Sequence, residues 1–545
     1  MIRNKLIDYG VVYTPKDLAE FMAKIVHGIC DRDGIEVSTV LDPACGEGRL
    51  LLEYNKINKH ANYIGIDVDQ NVIERNTLEA DANFVYINND AISPLRVRRN
   101  TANYWKEKLG KVSVVLANPP WSGEKVYDNN ELQKRGFILA EGQYDSYVLF
   151  LELAIKLLDK KGIMAFIIPD SLFSTQNTKI RKMLCDCMHI EVIARLGEKL
   201  FPGINRATTI IVCTKDEQNN KKTRCFRLNT EDRKQYLNGQ NNLYKLFESK
   251  SYYISQRRFS ENNEYIFDID TKENEEELVK KIMSSGMDMN EIFLFGRGVE
   301  ISKKGTGIQC DHCNKFQGIN KKHVTYGKKN CAFCGKEILV TKEKIKKIIS
   351  DTNDSSGAMI YVGENIQRYY TESCKYILKN IAGINYKDDD IYSGRKILLR
   401  KTGLGIKACI DYNETYTSQT VYILKLLEKY KTEPLEYYLA LINSRVIYYF
   451  YLKRYGENEW KSHPYLTKKI VYSFPLKKYE DNELCNEIAN LSKELMDQYD
   501  YVKDIAVEQL ICQLYGITEN EKEIIYKTMN NLPDLGAINV MKVEN

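Results

Sequence analysis

The sequence predicts an α/β protein in three parts. A doubly wound, mainly parallel sheet occupies residues 1–215, an α+β domain with a zinc-ribbon-like insertion occupies 216–480, and a helical segment occupies 481–545. Three observations predict this. Short apolar runs alternate with helical patterns through the first 215 residues. A polar stretch from Lys215 to Thr223 interrupts that rhythm, and past it the apolar runs shorten while Tyr, Asn and Lys become denser. A chain of 545 residues is also too long for one ordinary core.

The expected strands are Thr39–Leu41, Tyr63–Ile66, Phe84–Ile87, Ser113–Ala117, Ile163–Ile168, Glu191–Leu196 and Thr208–Cys213. Helical spacing falls between them at Lys16–Ile29, Arg49–Lys56, Gln70–Leu78 and Ser146–Leu158, and returns after Asp481. No run of 18 apolar residues exists, so no membrane span is expected. Met1-Ile2-Arg3-Asn4-Lys5 leads into no apolar run, so no secretory signal is expected either, and the chain reads as cytoplasmic.

Lys and Arg total 79 against 74 Asp and Glu, a net charge of +5 that does not by itself announce a polyanion binder. Between Ile301 and Ser350, however, twelve Lys face three acids, a local charge of +9. Such a run reads either as a solvated face or as a phosphate-contacting one. Of 14 cysteines, ten are scattered and read as small, reduced core residues. The other four, Cys310-x2-Cys313 and Cys331-x2-Cys334, are 17 residues apart. That is the double-knuckle spacing of a closed, tetrahedral structural zinc site, against the alternative of free or redox-active thiols. His312 and His323 lie inside the segment and read as surface residues or phosphate contacts.

Four loops carry the chemistry. Leu41-Asp42-Pro43-Ala44-Cys45-Gly46-Glu47-Gly48-Arg49-Leu50 sits where the first strand ends and a helix begins, where glycines let the backbone approach a ligand; alone it is equally a plain glycine turn. In Gly65-Ile66-Asp67-Val68-Asp69, Asp67 closes the second strand, 21 positions after Gly46. An acid there either accepts ribose hydroxyls or caps a helix, and Asp69 reads as the cap of the helix that follows. Asn89-Asp90-Ala91 follows the third strand, where Asp90 either accepts an adenine amine or forms a turn. Asn118-Pro119-Pro120-Trp121 follows a buried strand. Its two prolines remove two donors, which leaves the Asn118 side-chain carbonyl and the Pro119 backbone carbonyl as acceptors for an exocyclic NH2. Trp121 offers a flat face on which a base would stack.

Together these loops resemble the S-adenosylmethionine-dependent DNA adenine-N6 methyltransferases of restriction–modification systems, in the gamma-class order. The resemblance covers about residues 8–215. It implies a Rossmann-like methyltransferase fold followed by a target-recognition domain. Tyr13-Thr14-Pro15 matches the segment that clasps the cofactor, and Asp42, Ala44 and Gly46 match the loop around its methionine end. Asp67 and Val68 match the ribose site, Asp90 and Ala91 the adenine site. Asn118-Pro119-Pro120-Trp121 matches the catalytic tetrapeptide, with Trp where Tyr is commonest. Asn118 also borders the cofactor. Phe201-Pro202-Gly203 matches a segment that places a second aromatic, Phe201, beside the flipped base.

The implied reaction is methyl transfer to the N6 amine of adenine in double-stranded DNA, with S-adenosylmethionine and one structural zinc as cofactors. Cytosine-N4 enzymes and the glutamine methyltransferases of release factors carry similar tetrapeptides. Asn in first place and the large second half favour adenine. A DNA-binding subunit with a decayed catalytic domain is the non-enzyme alternative. Tyr13 lies too near the start for a fused nuclease ahead of it, so a restriction endonuclease is expected only as a separately encoded partner. The recognition region carries Phe295-Gly296-Arg297-Gly298-Val299-Glu300, Leu399-Arg400-Lys401-Thr402-Gly403, Leu441-Ile442-Asn443-Ser444 and a closing stretch from Trp460 to Pro475.

Overall fold

A computed structural model describes residues 13–121, 127–201, 206–216, 221–301, 304–352, 357–456, 465–533 and 536–543. The chain divides into two compact units. One runs to Glu275 and takes in the chain again from Lys453; the other holds Glu276–Leu452 and the C-terminal part.

The first unit is built on a nine-stranded sheet. Its elements begin with α1 (Lys16–Asp33), β1 (Thr39–Asp42), α2 (Arg49–Asn55), β2 (Asn62–Asp67), α3 (Gln70–Leu78) and β3 (Phe84–Asn88). They continue with α4 (Thr101–Leu109), β4 (Val112–Ala117), α5 (Tyr147–Leu157), β5 (Leu158–Pro169), β6 (His189–Gly197), β7 (Thr208–Thr214), β8 (Lys222–Arg227) and β9 (Tyr252–Ser255). Strand order is β3-β2-β1-β4-β5-β7-β6-β8-β9. The strands β3 to β5 run parallel, and β7 lies antiparallel between β5 and β6. The order reverses between β1 and β4, which leaves a crevice beyond their carboxyl ends.

Local sequence explains these elements. Leu18, Phe21, Met22, Ile25, Val26 and Ile29 recur at helical spacing and form the buried stripe of α1, which ends at Gly34 in a left-handed conformation. Asp69 accepts the Asn71 N–H at 3.0 Å and Asn100 accepts the Asn103 N–H at 3.0 Å, capping α3 and α4. The central strands are buried on both faces, so β4 to β7 read as apolar runs and not as alternation.

The expected boundary at 215 is corrected. Strand β8 pairs onto β6 and β9 onto β8, which extends the same sheet, so the first unit runs on to Glu275. The polar stretch after Lys215 is a loop between two strands of one sheet.

The second unit contains a four-stranded antiparallel sheet of Phe293–Arg297, Val421–Leu426, Lys396–Arg400 and Ala408–Asp411. A second four-stranded sheet joins Ile349–Ser350, Lys375–Leu378, Gly357–Tyr361 and Tyr416–Thr417. Helices Glu483–Asp497, Tyr501–Leu514 and Glu519–Asn530 fill the C-terminal part and belong to this unit. Asn443 at the end of helix Leu435–Asn443 holds both backbone groups of Ala408 at 3.0 Å, so part of the Leu441–Ser444 motif ties helix to sheet. Among the described residues, no helix is long and apolar enough to cross a membrane.

Candidate active site and four-cysteine cluster

A cavity of about 400 Å³ opens at the β1/β4 crevice. Its walls come from the loops singled out above: Tyr13 and Thr14, Asp42 to Glu47, Asp67 to Asp69, Asn89 to Ala91, and Asn118 with Pro120. Each loop leaves the carboxyl end of a neighbouring strand, except Tyr13-Thr14, which leads into α1.

The first loop is shaped by its backbone. The Cys45 N–H donates to the Ile66 carbonyl at 3.0 Å and the Gly48 N–H to the Cys45 carbonyl at 2.8 Å. Gly46 has φ +47° and Gly48 has φ +73°, conformations that disfavour other residues. The Tyr13 ring lies over this turn, 4.0 Å from where a Cβ on Gly46 would stand. Asp42 is buried and accepts the Ala44 N–H at 3.0 Å. Burial, partly offset by that bond and reinforced by nearby Asp67, pushes its carboxyl up to about 8. Burial and the same carboxylates raise the Cys45 thiol, which is buried within the turn.

Asp67 is not the cap of the helix that follows, a role Asp69 takes. Asp67 Oδ2 accepts the Gly46 N–H at 2.9 Å and its Oδ1 the Asp69 N–H at 2.9 Å, which locks two loops together at the cavity wall. Burial raises its pKa. A carboxylate has lone pairs beyond these two, so hydroxyls of a ligand remain within its capacity. Asp90 Oδ1 accepts from the N–H groups of Ile92 and Ser93 at 2.8 and 3.0 Å, a turn, while the side chain also faces the cavity. Trp105 anchors this loop from behind, donating its indole N–H to the Ala91 carbonyl at 2.9 Å.

At the end of β4, Asn118 donates its amide nitrogen to Thr14 Oγ1 at 3.1 Å. That bond links the loop before α1 to the tetrapeptide. Ser146 Oγ donates to the Pro120 carbonyl at 2.5 Å, fixing the loop from the start of α5. Pro119 is buried.

Trp121 and Phe201 differ from expectation. They are adjacent, with ring centroids 5.3 Å apart at 88°, but both are buried and neither lines the cavity. The Trp121 indole N–H donates to the Ile167 carbonyl at 3.3 Å, and Arg206 holds the Trp121 carbonyl. An open stacking face is therefore not what this structure presents; the pair packs as core against β5. Pro202 and Gly203 lie outside the described residues.

Further lining residues, Val72, Tyr127, Ser146 and Phe150, were not anticipated from the sequence. Tyr127 donates to Asp90 Oδ1 at 3.2 Å, and Ser146 and Phe150 border the same space. A lone tyrosine nine residues past Asn118 carries no motif that would mark it.

The four cysteines form a second cluster, in the other unit. All four Sγ atoms lie within 4.8 Å of one another, with Cys310–Cys334 and Cys313–Cys331 at 3.7 Å. Four sulfurs about 2.3 Å from one zinc ion stand about 3.8 Å apart, so the set matches a tetrahedral shell. The two loops repeat each other. In each, the first cysteine's N–H donates five residues on (to Lys315 at 3.0 Å, to Lys336 at 2.8 Å). Its carbonyl accepts from Asn314 or Gly335, and its sulfur from the N–H of His312 or Phe333, each at 3.4 Å. Asn314 and Gly335 both have positive φ, 56° and 74°. Gln317 donates to Cys331 Sγ at 3.2 Å. Burial opposes ionisation of Cys331, and these N–H donors overcome it, holding the thiol at about 6.

Comparison with known proteins fixes the family. Residues 3–282, just over half of the chain, match the N-6 DNA methylase family. The chain belongs to that family. Residues 358–476 match the TaqI-like C-terminal specificity domain. The type II methyltransferase M.BanIII of Aneurinibacillus aneurinilyticus is 31% identical over 224 residues, covering 37% of this chain and 38% of its own length. M.VspI of Vibrio sp. (strain 343) is 24% identical over 278 residues, covering 50% of this chain and 60% of its own. The chain thus spans less than two thirds of these relatives. Among solved structures, the type IIL restriction-modification enzyme MmeI, determined in complex with DNA, shares the fold at a TM-score of 0.52. It is 11% identical and covers 94% of this chain and 75% of its own.

Proposed function

We propose that the chain transfers a methyl group from S-adenosylmethionine to the N6 amine of an adenine flipped out of double-stranded DNA, at a specific sequence. The observation that carries this is the acceptor-lined cavity at the strand-order reversal, with Asn118-Pro119-Pro120 at its edge, in a member of the N-6 DNA methylase family.

The donor set fits the cofactor. Asp42, Asp67 and Asp90 all face the cavity, and the cofactor offers an ammonium, a sulfonium, two ribose hydroxyls and an adenine amine. When bound, S-adenosylmethionine supplies an electrophilic methyl group. Asp42 with Ala44 and Gly46 would hold its methionine end, Asp67 and Val68 its ribose, Asp90 and Ala91 its base, and Tyr13 with Thr14 would close over it. The Asn118 side-chain carbonyl and the Pro119 carbonyl would accept the two hydrogens of the target amine. That draws the nitrogen towards tetrahedral geometry and stabilises the positive charge that develops as it attacks. Proximity supplies much of the remaining rate.

The specificity-domain match at 358–476 supports double-stranded DNA as the substrate. The geometry of Cys310, Cys313, Cys331 and Cys334 supports one structural zinc, closed to water because four thiolates fill its shell.

Asn118→Ala tests the reaction. Methyl transfer to unmethylated duplex DNA should fall about 100-fold or more in kcat, while the Kd for S-adenosylmethionine changes by less than about threefold. The product nucleoside from wild type should be N6-methyladenine. Wild-type kcat in the variant would remove Asn118 from the mechanism, and N4-methylcytosine as product would replace adenine as the target.

A further inference from the structure

The four-cysteine module lies in neither matched region. The family matches end at residue 282 and resume at 358, and the module's two small sheets span residues 306–347 between them. One sheet joins Phe316–Gly318, Thr306–Gln309 and Ile345–Lys347, and a hairpin joins Lys328–Asn330 to Glu337–Leu339. Its core is minimal: Ile308, Cys310, Cys331, Ile338 and Val340. So small a core needs a staple, and the cysteines sit within it.

The surface of the module is cationic for a reason that can be traced. Of its three acids, Asp311 is paired with Lys344 at 2.5 Å and Glu337 with Lys328 at 3.0 Å. Lys321, Lys322 and Lys336 are exposed and, among the described residues, have no ion-pair partner. Lys315 is also exposed, and its ammonium stands 4.8 Å over the ring of Phe333, which is half exposed on the second knuckle. Lysines on a solvated face are normally interspersed with acids that neutralise them; here two of the three acids are held by Lys344 and Lys328, which leaves Glu343 as the one acid outside these pairs.

We propose that this module is a zinc-organised grip on the DNA phosphate backbone, additional to the specificity domain and indifferent to sequence. The proposal rests on the reading of the chain as a DNA enzyme with one zinc. Lys321 and Lys322, which open the helix Lys321–Tyr326 between the two knuckles, and Lys336, whose carbonyl accepts from the Cys331 N–H, contact phosphates, and the metal organises the module that carries them. A lysine ammonium is a point charge suited to a phosphate oxygen, and phosphate contacts carry no sequence information, so the grip adds affinity and register without specificity.

The test uses the full chain and a duplex of about 30 base pairs of arbitrary sequence. In Lys321→Glu/Lys322→Glu/Lys336→Glu, zinc content should stay at about one per chain and S-adenosylmethionine affinity should be unchanged. Duplex Kd at about 0.1 M salt should weaken about tenfold or more, and the slope of log K against log salt should flatten by about 2 to 3. Wild-type slope and Kd in a zinc-loaded triple variant would overturn the grip, and a folded wild-type chain without zinc would overturn its organisation by metal. Methyl transfer by wild type is assayed alongside, so failure of the enzyme reading appears there and not in the binding curves.

Discussion

Asp42 is buried at the cavity wall. Its folded-state carboxyl, at about 8, stands well above the ordinary carboxylate value because burial disfavours its charged form. The ligand-free fold therefore binds this proton more tightly than the unfolded chain does. The stability it contributes is fully present below about pH 4 and is lost as pH rises towards 8. Asp42→Asn removes the dependence, so the variant's Tm advantage over ligand-free wild type should grow from pH 5 to pH 8. The cationic methionine end of S-adenosylmethionine reverses the preference by favouring the carboxylate. Cofactor binding at pH 7 should thus release close to one proton and strengthen as pH rises towards 8. Calorimetry in two buffers of different ionisation enthalpy measures this. No proton release, with Tm parallel in both proteins across the pH range, would place Asp42 away from the cofactor's charge.

At the scale of elements, the parallel half of the sheet was legible because its signals are local. Buried apolar runs ending in Asp42, Asp67 and Asn118 mark strands whose carboxyl ends carry the site, and Asp69 stands where a cap belongs. Strands β8 and β9 were not legible, since Lys222–Arg227 is mostly polar, with only the adjacent Cys225 and Phe226 apolar, and its partners lie far off in sequence. The burial of Trp121 was hidden for a similar reason: it depends on the Ile167 carbonyl of β5 and on Phe201 between β6 and β7, both distant in sequence. The second unit's ionic core was equally silent. Arg368 holds Asp504 at 2.6 Å, Arg445 approaches Asp504 at 3.3 Å and Glu508 at 3.5 Å, and all four side chains are buried. Burial opposes the charge on Asp504, and the two guanidiniums overcome it, holding the carboxyl below its usual range. Removing one member leaves buried charge uncompensated. Asp504→Ala should cost the second unit about 3–5 kcal/mol in denaturant unfolding, with cofactor affinity intact. A loss under about 1 kcal/mol would mean the cluster contributes little beyond hydrophobic packing.

Across the whole molecule, each unit has cores of its own. Two clusters flank the nine-stranded sheet within the first, while the second is organised around Ile360, Ile377, Leu398 and Ile423, with the cysteine module's small core apart. Among the described residues, the cavity at the β1/β4 crevice is lined by residues within 13–150, and the four cysteines belong to the other unit. Heating should therefore give two calorimetric transitions and not one. S-adenosylmethionine at about 100 times its Kd stabilises what it binds by about 2.7 kcal/mol, enough to raise the first unit's transition by about 5–10 °C. The second transition should hold still under cofactor and fall when zinc is chelated. A single transition that moves as one with either treatment would show that the cores unfold together and that cofactor and metal report on one cooperative unit.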